Sequence, residues 1–442
     1  MAARESSTGA KGRTEHPRLA AVLDGRQIGH VHQDRSGRFR FIYEEDWRHD
    51  PMAYAISLSM PLSSAEHAHS AVSAYLWGLL PDNDQTRAQY GRLFGVSAAN
   101  PVALLAHMGA DCAGAIQFAP PDQVSTILSG ATVCEQVEWL SEEQIATDLR
   151  TVREQGIAGA GRRTTGQFSL AGAQPKIALL HEGERWARPS GRTPTNTILK
   201  PPSGAYEGFA ENEHFCLELA RAMKLGAARS RVMRFGDEIA IVVERYDRAK
   251  IGKVHHRIHQ EDVCQALGIM PTQKYESDGG PGVPDIIRLL RDRSSQPNED
   301  VDRFVAAIVL NWVIAATNAH AKNYALLHGA GGATRLAPFY DMSSDLTYAA
   351  DPLHRVKLAM KVGTEYLVNR IGRADWDRLA KSISVPQAEL RERITGVLEE
   401  TRAAVSGVRA AVVDEGLDPR MVNALADRIS GRAATCLTMM RA

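Results

Sequence analysis

The sequence lacks the features that mark secreted, zinc-binding and membrane-spanning proteins. Its five cysteines are far apart and contain no Cys-x-x-Cys pair, which argues against a zinc or redox motif and against a disulfide framework. No stretch approaches about 18 consecutive apolar residues, the length that a membrane-spanning helix needs. Residues 1–17 are polar and lack the apolar segment of a secretory signal, so we expect a disordered tail there. These absences predict a cytoplasmic protein that does not enter a membrane.

The chain also lacks an excess of charge of either sign, since 52 Lys and Arg residues balance 52 Asp and Glu residues. A balanced chain has no overall field that draws it onto nucleic acid or a membrane. What is present is an ordinary globular composition, with 44% hydrophobic and 24% charged residues. At 442 residues, the chain has material for a large core and for two or three domains.

Strand patterns come early in the chain and helical patterns dominate later, which predicts an α+β fold with two lobes behind a small domain. Residues 18–150 begin with alternating segments broken by Asp-Gly and Ser-Gly turns and continue with helices, which indicates a small α/β N-terminal domain. Residues 151–247 contain a Gly/Thr-rich loop at 156–167, several strands and one helix. Residues 248–442 are mainly helical, apart from one hairpin.

That hairpin carries two polar residues that suit a metal ion. Residues 324–328 and 335–341 flank a glycine-rich turn, and folding the chain about 331–332 places Asn323 opposite Asp341. An amide oxygen beside a carboxylate forms a hard-oxygen site for Mg²⁺ carried on phosphate. The structural alternative is an Asn that closes a turn and an Asp that caps the next helix, and the hairpin alone favours that alternative.

A lysine and a carboxylate of the preceding segment suit a nucleotide in the same way. Lys200 ends an apolar strand, where a lysine usually extends its ammonium to solvent. In a nucleotide enzyme it would instead pair with the phosphates and be held by a carboxylate of the next helix. Glu211 and Glu213 both lie on that helix, and the sequence does not choose between them.

Two further segments have both a nucleotide interpretation and a structural one. Residues 242–248 end an apolar strand, so their backbone edge could bind adenine while Asp247 reaches the ribose. The alternative is a strand that connects the lobes and carries solvated charges. Residues 168–176 place small residues before a strand, which lets backbone N–H groups approach a phosphate. A short Gly/Ala loop is a weak signal by itself.

In this order, these segments resemble the HipA family of bacterial toxin kinases. The resemblance rests on FSLAGAQPKIALL, ILKPP, VVERYDR, HQEDVCQALGI, HAKNYALL and PFYDMSSD, and on NPVALLAHMGADCAGAIQF nearer the start. It implies a bilobal protein-kinase-like core behind a HipA-type N-terminal domain at 18–150. The kinase N-lobe would then span 151–247, and the mainly helical C-lobe 248–442.

The resemblance implies ATP and Mg²⁺ as cofactors and a role for each matching residue. Lys200 is expected to contact the phosphates, and Asn323 with Asp341 to hold the metal ion. Other nucleotide contacts are expected from the loop over the phosphates (Ala171, Gly172, Ala173, Gln174 and Lys176), from the hinge and ribose positions (Glu244, Tyr246 and Asp247) and from His320. Ser169 matches the serine whose autophosphorylation ejects this loop and inactivates the enzyme.

The resemblance also implies a biological setting. Members of the family are Ser/Thr protein kinases that phosphorylate aminoacyl-tRNA synthetases, which stalls translation and produces growth arrest or persistence. They are neutralised by HipB, a helix-turn-helix antitoxin that binds operator DNA together with the toxin. Because this chain has balanced charge, we expect it to reach operator DNA mainly through such an antitoxin.

The sequence departs from the family at Asn318, where the family places the aspartate that receives the proton of the substrate hydroxyl. An amide cannot take that proton, and the loss of a general base typically costs roughly 10²–10⁴-fold in rate. Either an aspartate has been replaced, which the intact remainder of the site favours, or the natural chain is a pseudokinase or uses another group. A silent corepressor bound to the antitoxin and a small-molecule or lipid kinase are the alternative functions.

Overall fold

The computed structural model describes residues 18–128, 137–157, 168–189, 193–202, 207–252, 254–348 and 353–441. The predicted tail and nearly all of the Gly/Thr-rich loop lie outside the described residues. Within the described ranges, no helix combines the length and the apolar character that crossing a membrane requires.

The first domain is a five-stranded antiparallel sheet covered by helices. Its strands are β1 (Arg18–Leu23), β2 (Arg26–Gln33), β3 (Phe39–Tyr43), β4 (Glu66–His67) and β5 (Gln117–Ala119), in the order β4-β3-β2-β1-β5. Its helices are α1 (Glu45–Arg48), α2 (His69–Leu79), α3 (Asp84–Phe94), α4 (Pro101–Met108) and α5 (Val124–Leu128). The predicted hairpins are confirmed, since β1 pairs with β2 and β2 with β3. Alternate residues of β3 (Phe39, Phe41 and Tyr43) are buried, as expected for a strand with one face in the core.

A second sheet forms the N-lobe. Its strands are β6 (Val137–Leu140), β7 (Ile177–Glu182), β8 (Arg185–Pro189), β9 (Thr197–Lys200), β10 (Ser230–Phe235) and β11 (Glu238–Glu244), in the order β10-β11-β9-β7-β8-β6. Two helices accompany it, α6 (Glu142–Gln155) and α7 (Phe209–Ala222). The strands and the helix predicted after residue 175 are confirmed with bounds that differ by a few residues.

The predicted domain boundary at residue 150 is wrong. Strand β6 pairs with β8, and the apolar side of α6, including Ile145 and Leu149, packs on the second sheet together with Leu199. Residues 137–155 therefore belong to the N-lobe and not to the N-terminal domain. The sequence shows that α6 has an apolar face, but the identity of the sheet that covers this face is a tertiary property.

The C-lobe is built around one helix that is buried on nearly all sides. Its helices are α8 (Val263–Leu267), α9 (Val283–Arg293), α10 (Pro297–Ile314), α11 (Arg373–Ser382), α12 (Gln387–Asp414) and α13 (Pro419–Arg441). From Val305 to Ile314 every residue of α10 is buried, mainly against α7, α9, α12 and α13. Such a helix is apolar all round because it has no solvent face.

The C-lobe contains more strands than the single predicted hairpin. They are β12 (Arg248–Ile251), β13 (Val254–Arg257), β14 (His259–Asp262), β15 (Ala325–Gly329), β16 (Ala333–Leu336), β17 (Lys357–Val362) and β18 (Glu365–Leu367). The hairpin β15-β16 is confirmed, and β14 adds a third strand beside β15. Strands β12 and β13 were missed because their polar sequences, RAKI and VHHR, lack a clear apolar alternation.

The register of the β15-β16 hairpin also differs from the prediction. Leu326 pairs with Leu336, which is two residues off the predicted register, so Asn323 does not face Asp341 across the ladder. Asn323 instead ends a short 3-10 turn before β15, and Asp341 lies five residues after β16. The two side chains reach the same cavity through these connecting segments and not by strand pairing.

A buried ionic cluster joins the N-terminal domain to the end of β11. Asp111 forms ion pairs with Arg248 at 2.8 Å and with Arg245 at 3.4 Å, and accepts a hydrogen bond from Thr195 Oγ1 at 2.6 Å. Asp247 accepts from Arg245 at 2.8 Å and from the backbone N–H of Gly114 at 2.7 Å. Burial opposes the ionised form of Asp111, but Arg248 and Arg245 outweigh it and hold its pKa well below the usual range. This cluster fixes how the two domains meet.

We expect Asp111→Asn to lower the free energy of unfolding by about 3–5 kcal/mol, because it leaves the buried Arg245 and Arg248 with Asp247 as their one remaining counter-charge among the described residues. Chemical denaturation followed by tryptophan fluorescence measures this. The matched control is Asp122→Asn, an exposed aspartate of the same domain, which should change the stability by no more than about 0.5 kcal/mol. Equal stabilities of the two variants would contradict the role given to the cluster.

Candidate active site

A cavity of about 410 Å³ lies between the second sheet and the C-lobe. The predicted nucleotide and metal residues all line it: Ala171, Gly172, Ala173, Gln174, Lys176, Lys200, Glu244, Tyr246, Asp247, Asn318, His320, Asn323 and Asp341. These residues come from five separate stretches of the chain, and the fold brings them to one place. The remaining predicted residue, Ser169, is fully buried and is not part of the cavity lining.

Lys200 bridges two carboxylates at the centre of the cavity. Its Nζ donates to Glu213 Oε1 at 2.7 Å and to Asp341 Oδ1 at 2.8 Å. Glu213, and not Glu211, is therefore the carboxylate of α7 that pairs with Lys200, a choice that the sequence alone left open. It lies on one face of α7 together with the fully buried Ala210 and Leu217, three residues before and four residues after it. Glu211 lies on a different side of α7 and is only partly buried.

The charges of this bridge are fixed by mutual proximity. Burial opposes the charged form of Lys200, but Asp341 and Glu213 outweigh it and raise the pKa of the ammonium. Burial likewise acts against ionised Asp341, yet Lys200 lowers the pKa of this carboxyl to about 2. Asp341 is therefore a carboxylate at neutral pH. It also adopts a left-handed backbone with φ of 55°, a conformation that is uncommon for non-glycine residues.

The cavity fits a magnesium ion that arrives on a nucleotide. Asn323 Nδ2 donates to the Asn318 carbonyl at 2.6 Å, which leaves the amide oxygen of Asn323 for a cation beside the ionised Asp341. Glu213 Oε2 is buried and has no hydrogen-bond partner within the described ranges, so the site has unused acceptor capacity. Among the described residues, no group of three His, Cys, Asp or Glu could hold a metal alone. A site that shares its ion with phosphates needs no such group.

Asn318, at the predicted base position, contacts Asp341, one of the two predicted metal residues. Its Oδ1 accepts a hydrogen bond from the Tyr275 hydroxyl at 3.0 Å, and its Nδ2 donates to Asp341 Oδ2 at 3.4 Å. His320 lies against the Tyr275 ring with a centroid separation of 4.8 Å. Burial, with the nearby Lys274 ammonium, lowers the pKa of His320 to about 4, so this imidazole is neutral at neutral pH.

The segment that is expected to cover the phosphates contains a lysine that donates to the backbone of the same segment. Lys176 Nζ donates to the Ala171 carbonyl at 2.7 Å, and burial together with the Lys200 charge lowers its pKa to about 8. Gly172 has a φ of 107°, and a Cβ there would lie 2.6 Å from Lys176 Nζ, so only glycine allows this close turn. Ser169 Oγ donates to the Leu79 carbonyl of the N-terminal domain at 2.8 Å.

The three residues expected at the hinge and the ribose, Glu244, Tyr246 and Asp247, have different surroundings. Glu244 is exposed, and Tyr246 donates its hydroxyl proton to Gln260. The oxygens of Asp247 are occupied by Arg245, Arg248 and the Gly114 N–H, so Asp247 belongs to the ionic cluster between the domains. Its contact with ribose stays a prediction.

Sequence reasoning missed several residues of the cavity, among them Asp82, Lys274 and Lys322. It also missed Tyr275, which lies beside the cavity against Asn318 and His320. Lys322 lies inside the HAKN segment that contributes to the family resemblance. The need of this lysine for a carboxylate partner was the signal that could have identified it as a site residue. Asp82 gave no signal, because it lies in another domain and its role depends on docking.

The two-lobed fold and the lysine–carboxylate bridge at the cleft define the class as protein-kinase-like phosphotransferases. Two family models match the chain, the HipA N-terminal domain over residues 19–119 and the HipA-like C-terminal domain over residues 168–405. The chain therefore belongs to the HipA family of Ser/Thr protein kinases, a family of kinase toxins whose members use ATP and a divalent metal.

Named relatives agree with this membership. Y4mE of Sinorhizobium fredii, which is named as a kinase, is 37% identical over 412 residues, covering 93% of this chain and 96% of its own length. The serine/threonine-protein kinase toxin HipA of Shewanella oneidensis is 27% identical, with 88% and 89% covered. The fold matches that of Shewanella oneidensis HipA, solved with HipB and its operator DNA, with a TM-score of 0.80, 24% identity and coverage of 95% and 98%.

We expect Lys200→Met to destabilise the protein by about 3 kcal/mol or more at pH 7, because it leaves Glu213 buried without a counter-charge. Burial raises the pKa of Glu213, so a proton can neutralise it as the pH falls towards the unfolded value of 4.5. The stability difference between variant and parent should therefore shrink between pH 7 and pH 5. Chemical denaturation at each pH measures it.

Lys250→Met is the matched control, since Lys250 pairs with Glu182 on the exposed surface. Surface pairs contribute about 0–1 kcal/mol, and this variant should show no such pH trend. A Lys200→Met protein as stable as the Lys250→Met protein would contradict the bridge.

Proposed function

We propose that this chain is an ATP- and Mg²⁺-dependent Ser/Thr protein kinase that acts as the toxin of a HipBA-like toxin–antitoxin module. The observation that carries the proposal is the Lys200 ammonium, held between Glu213 and Asp341 in the cleft between the lobes. This is the arrangement in which protein kinases bind phosphates and place a metal ion.

The residues of the chain would divide the work of phosphoryl transfer. Magnesium, when bound, neutralises the charge that develops on the phosphates. Lys200 is preorganised to contact phosphate oxygens, since its position is already fixed by two carboxylates. Asn323 and Asp341, which line the cavity, would supply the oxygens that hold the metal, and the backbone of residues 171–176 would cover the phosphates.

Asn318 limits the chemistry of the chain as it stands. Its amide cannot accept the proton of a serine or threonine hydroxyl, whereas the binding residues around it are intact. We therefore propose that this chain is an inactivated variant, which binds nucleotide and metal but transfers phosphate slowly.

We expect Asn318→Asp to transfer the γ-phosphate of ATP to a serine of a target protein and to Ser169, at a rate about 10²–10⁴ times that of the parent. In the variant a carboxylate faces Asp341 at the position where Asn318 Nδ2 now lies 3.4 Å away, so transfer should depend steeply on Mg²⁺. Radiolabelled ATP with a bacterial lysate measures the transfer.

Asn318→Asp combined with Asp341→Asn is the control, which keeps the base but loses a metal residue and should be inactive. An Asn318→Asp protein that binds ATP and Mg²⁺ yet labels no protein would refute the kinase proposal for this chain.

The proposed target is a translation component such as an aminoacyl-tRNA synthetase, whose phosphorylation in the cytoplasm would cause growth arrest or persistence. The proposed partner is a HipB-like helix-turn-helix antitoxin, because the Shewanella oneidensis relative of the same fold was solved with HipB and operator DNA. Operator DNA would be reached mainly through that antitoxin, given the balanced charge of this chain. Phosphorylation of the buried Ser169 would require its release from Leu79.

A second function is favoured by Asn318 itself, namely a pseudokinase that serves as a corepressor bound to the antitoxin. The two functions differ in one result. A pseudokinase forms the antitoxin–operator complex without arresting growth, and its Asn318→Asp variant transfers no phosphate. The toxin arrests growth when the aspartate is present.

A further inference from the structure

Asp82 extends from the N-terminal domain into the wall of the active-site cavity. It follows α2, in a domain that is separate in sequence from both kinase lobes, and its side chain is only 10% exposed. The contacts of Asp82 reach three segments that carry the phosphotransfer residues.

The first contact is with the turn that carries the metal residue. Asp82 Oδ1 accepts from Lys322 Nζ at 2.6 Å, and Lys322 lies in the short turn Ala321–Asn323. The carbonyl of Lys322 accepts from the Tyr340 hydroxyl at 2.7 Å, and Tyr340 directly precedes Asp341. The pair formed by Asp82 and Lys322 therefore holds the backbone beside both predicted metal residues.

The second contact is with the segment beside the base position. Asp82 Oδ2 accepts from Lys274 Nζ at 2.7 Å. The carbonyl of Lys274 accepts from the Ala321 N–H at 3.2 Å, and the next residue, Tyr275, donates to Asn318 Oδ1. Lys274 thus connects Asp82 to the residue that orients the side chain at position 318.

The third contact uses the backbone of Asp82 and reaches the loop over the phosphates. The N–H of Asp82 donates to the Gly172 carbonyl at 3.2 Å, and Pro81 forms an isolated parallel β-bridge with the same glycine. One residue therefore contacts both the loop that is expected to cover the phosphates and the turn Ala321–Asn323 that carries a predicted metal residue.

The ion pairs of Asp82 are largely shielded from water. The Lys322 side chain is 3% exposed and the Lys274 side chain 16% exposed, and Asp82 is a counter-charge for both. Burial works against ionised Asp82, but Lys322 and Lys274 outweigh it and hold its pKa well below the usual range. Without this carboxylate, two neighbouring ammonium groups would repel each other in a poorly hydrated wall.

We propose that Asp82 is a positioning residue for phosphoryl transfer. It holds the metal turn (Ala321–Asn323), the base position (318) and the phosphate loop (171–176) in one arrangement. The N-terminal domain then contributes a residue that completes the active site. The inference rests on the proposed kinase function, but its first test needs neither nucleotide nor turnover.

The first test is amide hydrogen exchange of the free protein. Asp82→Asn loses both ion pairs that anchor residue 82, and with them the support of its backbone contact with Gly172. We therefore expect amides of residues 318–324 and 172–176 to exchange at least about tenfold faster than in the parent, which a loss of about 1.4 kcal/mol of local stability would produce. The matched control is Asp84→Asn, two residues away in the same domain, whose side chain is exposed. Its exchange in both segments should equal that of the parent.

The single variant Lys322→Met separates the two contacts and leaves Asp82 paired with Lys274. It should accelerate exchange in residues 318–324 and leave residues 172–176 unchanged. This variant also covers the case in which Asp82→Asn does not fold. If neither segment changes in Lys322→Met, or if both variants lower only the melting temperature, the proposal is overturned.

The second test is a kinetic split in the Asn318→Asp background. Because a small misplacement of reacting groups costs up to about 10²-fold, we expect Asp82→Asn to lower kcat by about 10–100-fold and to change KM for ATP by less than about threefold. Asp82→Glu, which keeps the charge, should recover part of kcat. A change in KM alone would overturn the proposal. A background protein with no transfer at all would refute the kinase function and leave the exchange test standing.

Discussion

The structure depends on one buried ammonium with two carboxylate partners. Lys200 ends a strand of the N-lobe, Glu213 lies on α7, and Asp341 follows the last strand of the C-lobe hairpin. A charged group in the interior must be paired, so the three segments can reach their folded positions only together. The cleft between the lobes is the place where they meet. The groups that would bind phosphate and metal are therefore in position before any nucleotide arrives.

The same physical rule joins the N-terminal domain to this core. Asp111 and Asp247 are surrounded by arginines at the end of β11, and Asp82 is surrounded by lysines at the other side of the cavity. Each buried carboxylate joins a segment of the N-terminal domain to a segment of the kinase lobes and fixes the distance between them. The domain that sequence analysis treated as separate is thus connected to the hinge, the phosphate loop and the metal turn.

The parts that sequence analysis predicted correctly have local causes. The strands of the N-lobe alternate or form apolar runs. Asn100, directly before the proline that begins α4, caps this helix by accepting from two backbone N–H groups, as its residue type and position favour. What the sequence left wrong or undecided concerns choices between partners. The domain boundary, the hairpin register and the decision between Glu211 and Glu213 each required knowing what lies opposite. Hydrophobic periodicity predicts the type of a single helix or strand and does not identify the element that packs against it.

The sequence by itself determined the residue types of the site and the identity of the family, because the motifs around Lys200, Asn323 and Asp341 are short and contiguous. It also determined the departure at Asn318, which is visible as a single letter. The tertiary structure alone decided that Glu213 holds Lys200 and that Asp82 pairs with Lys322 in the turn Ala321–Asn323. These contacts join residues far apart along the chain, and their geometry comes from the packing of whole domains and not from any local pattern.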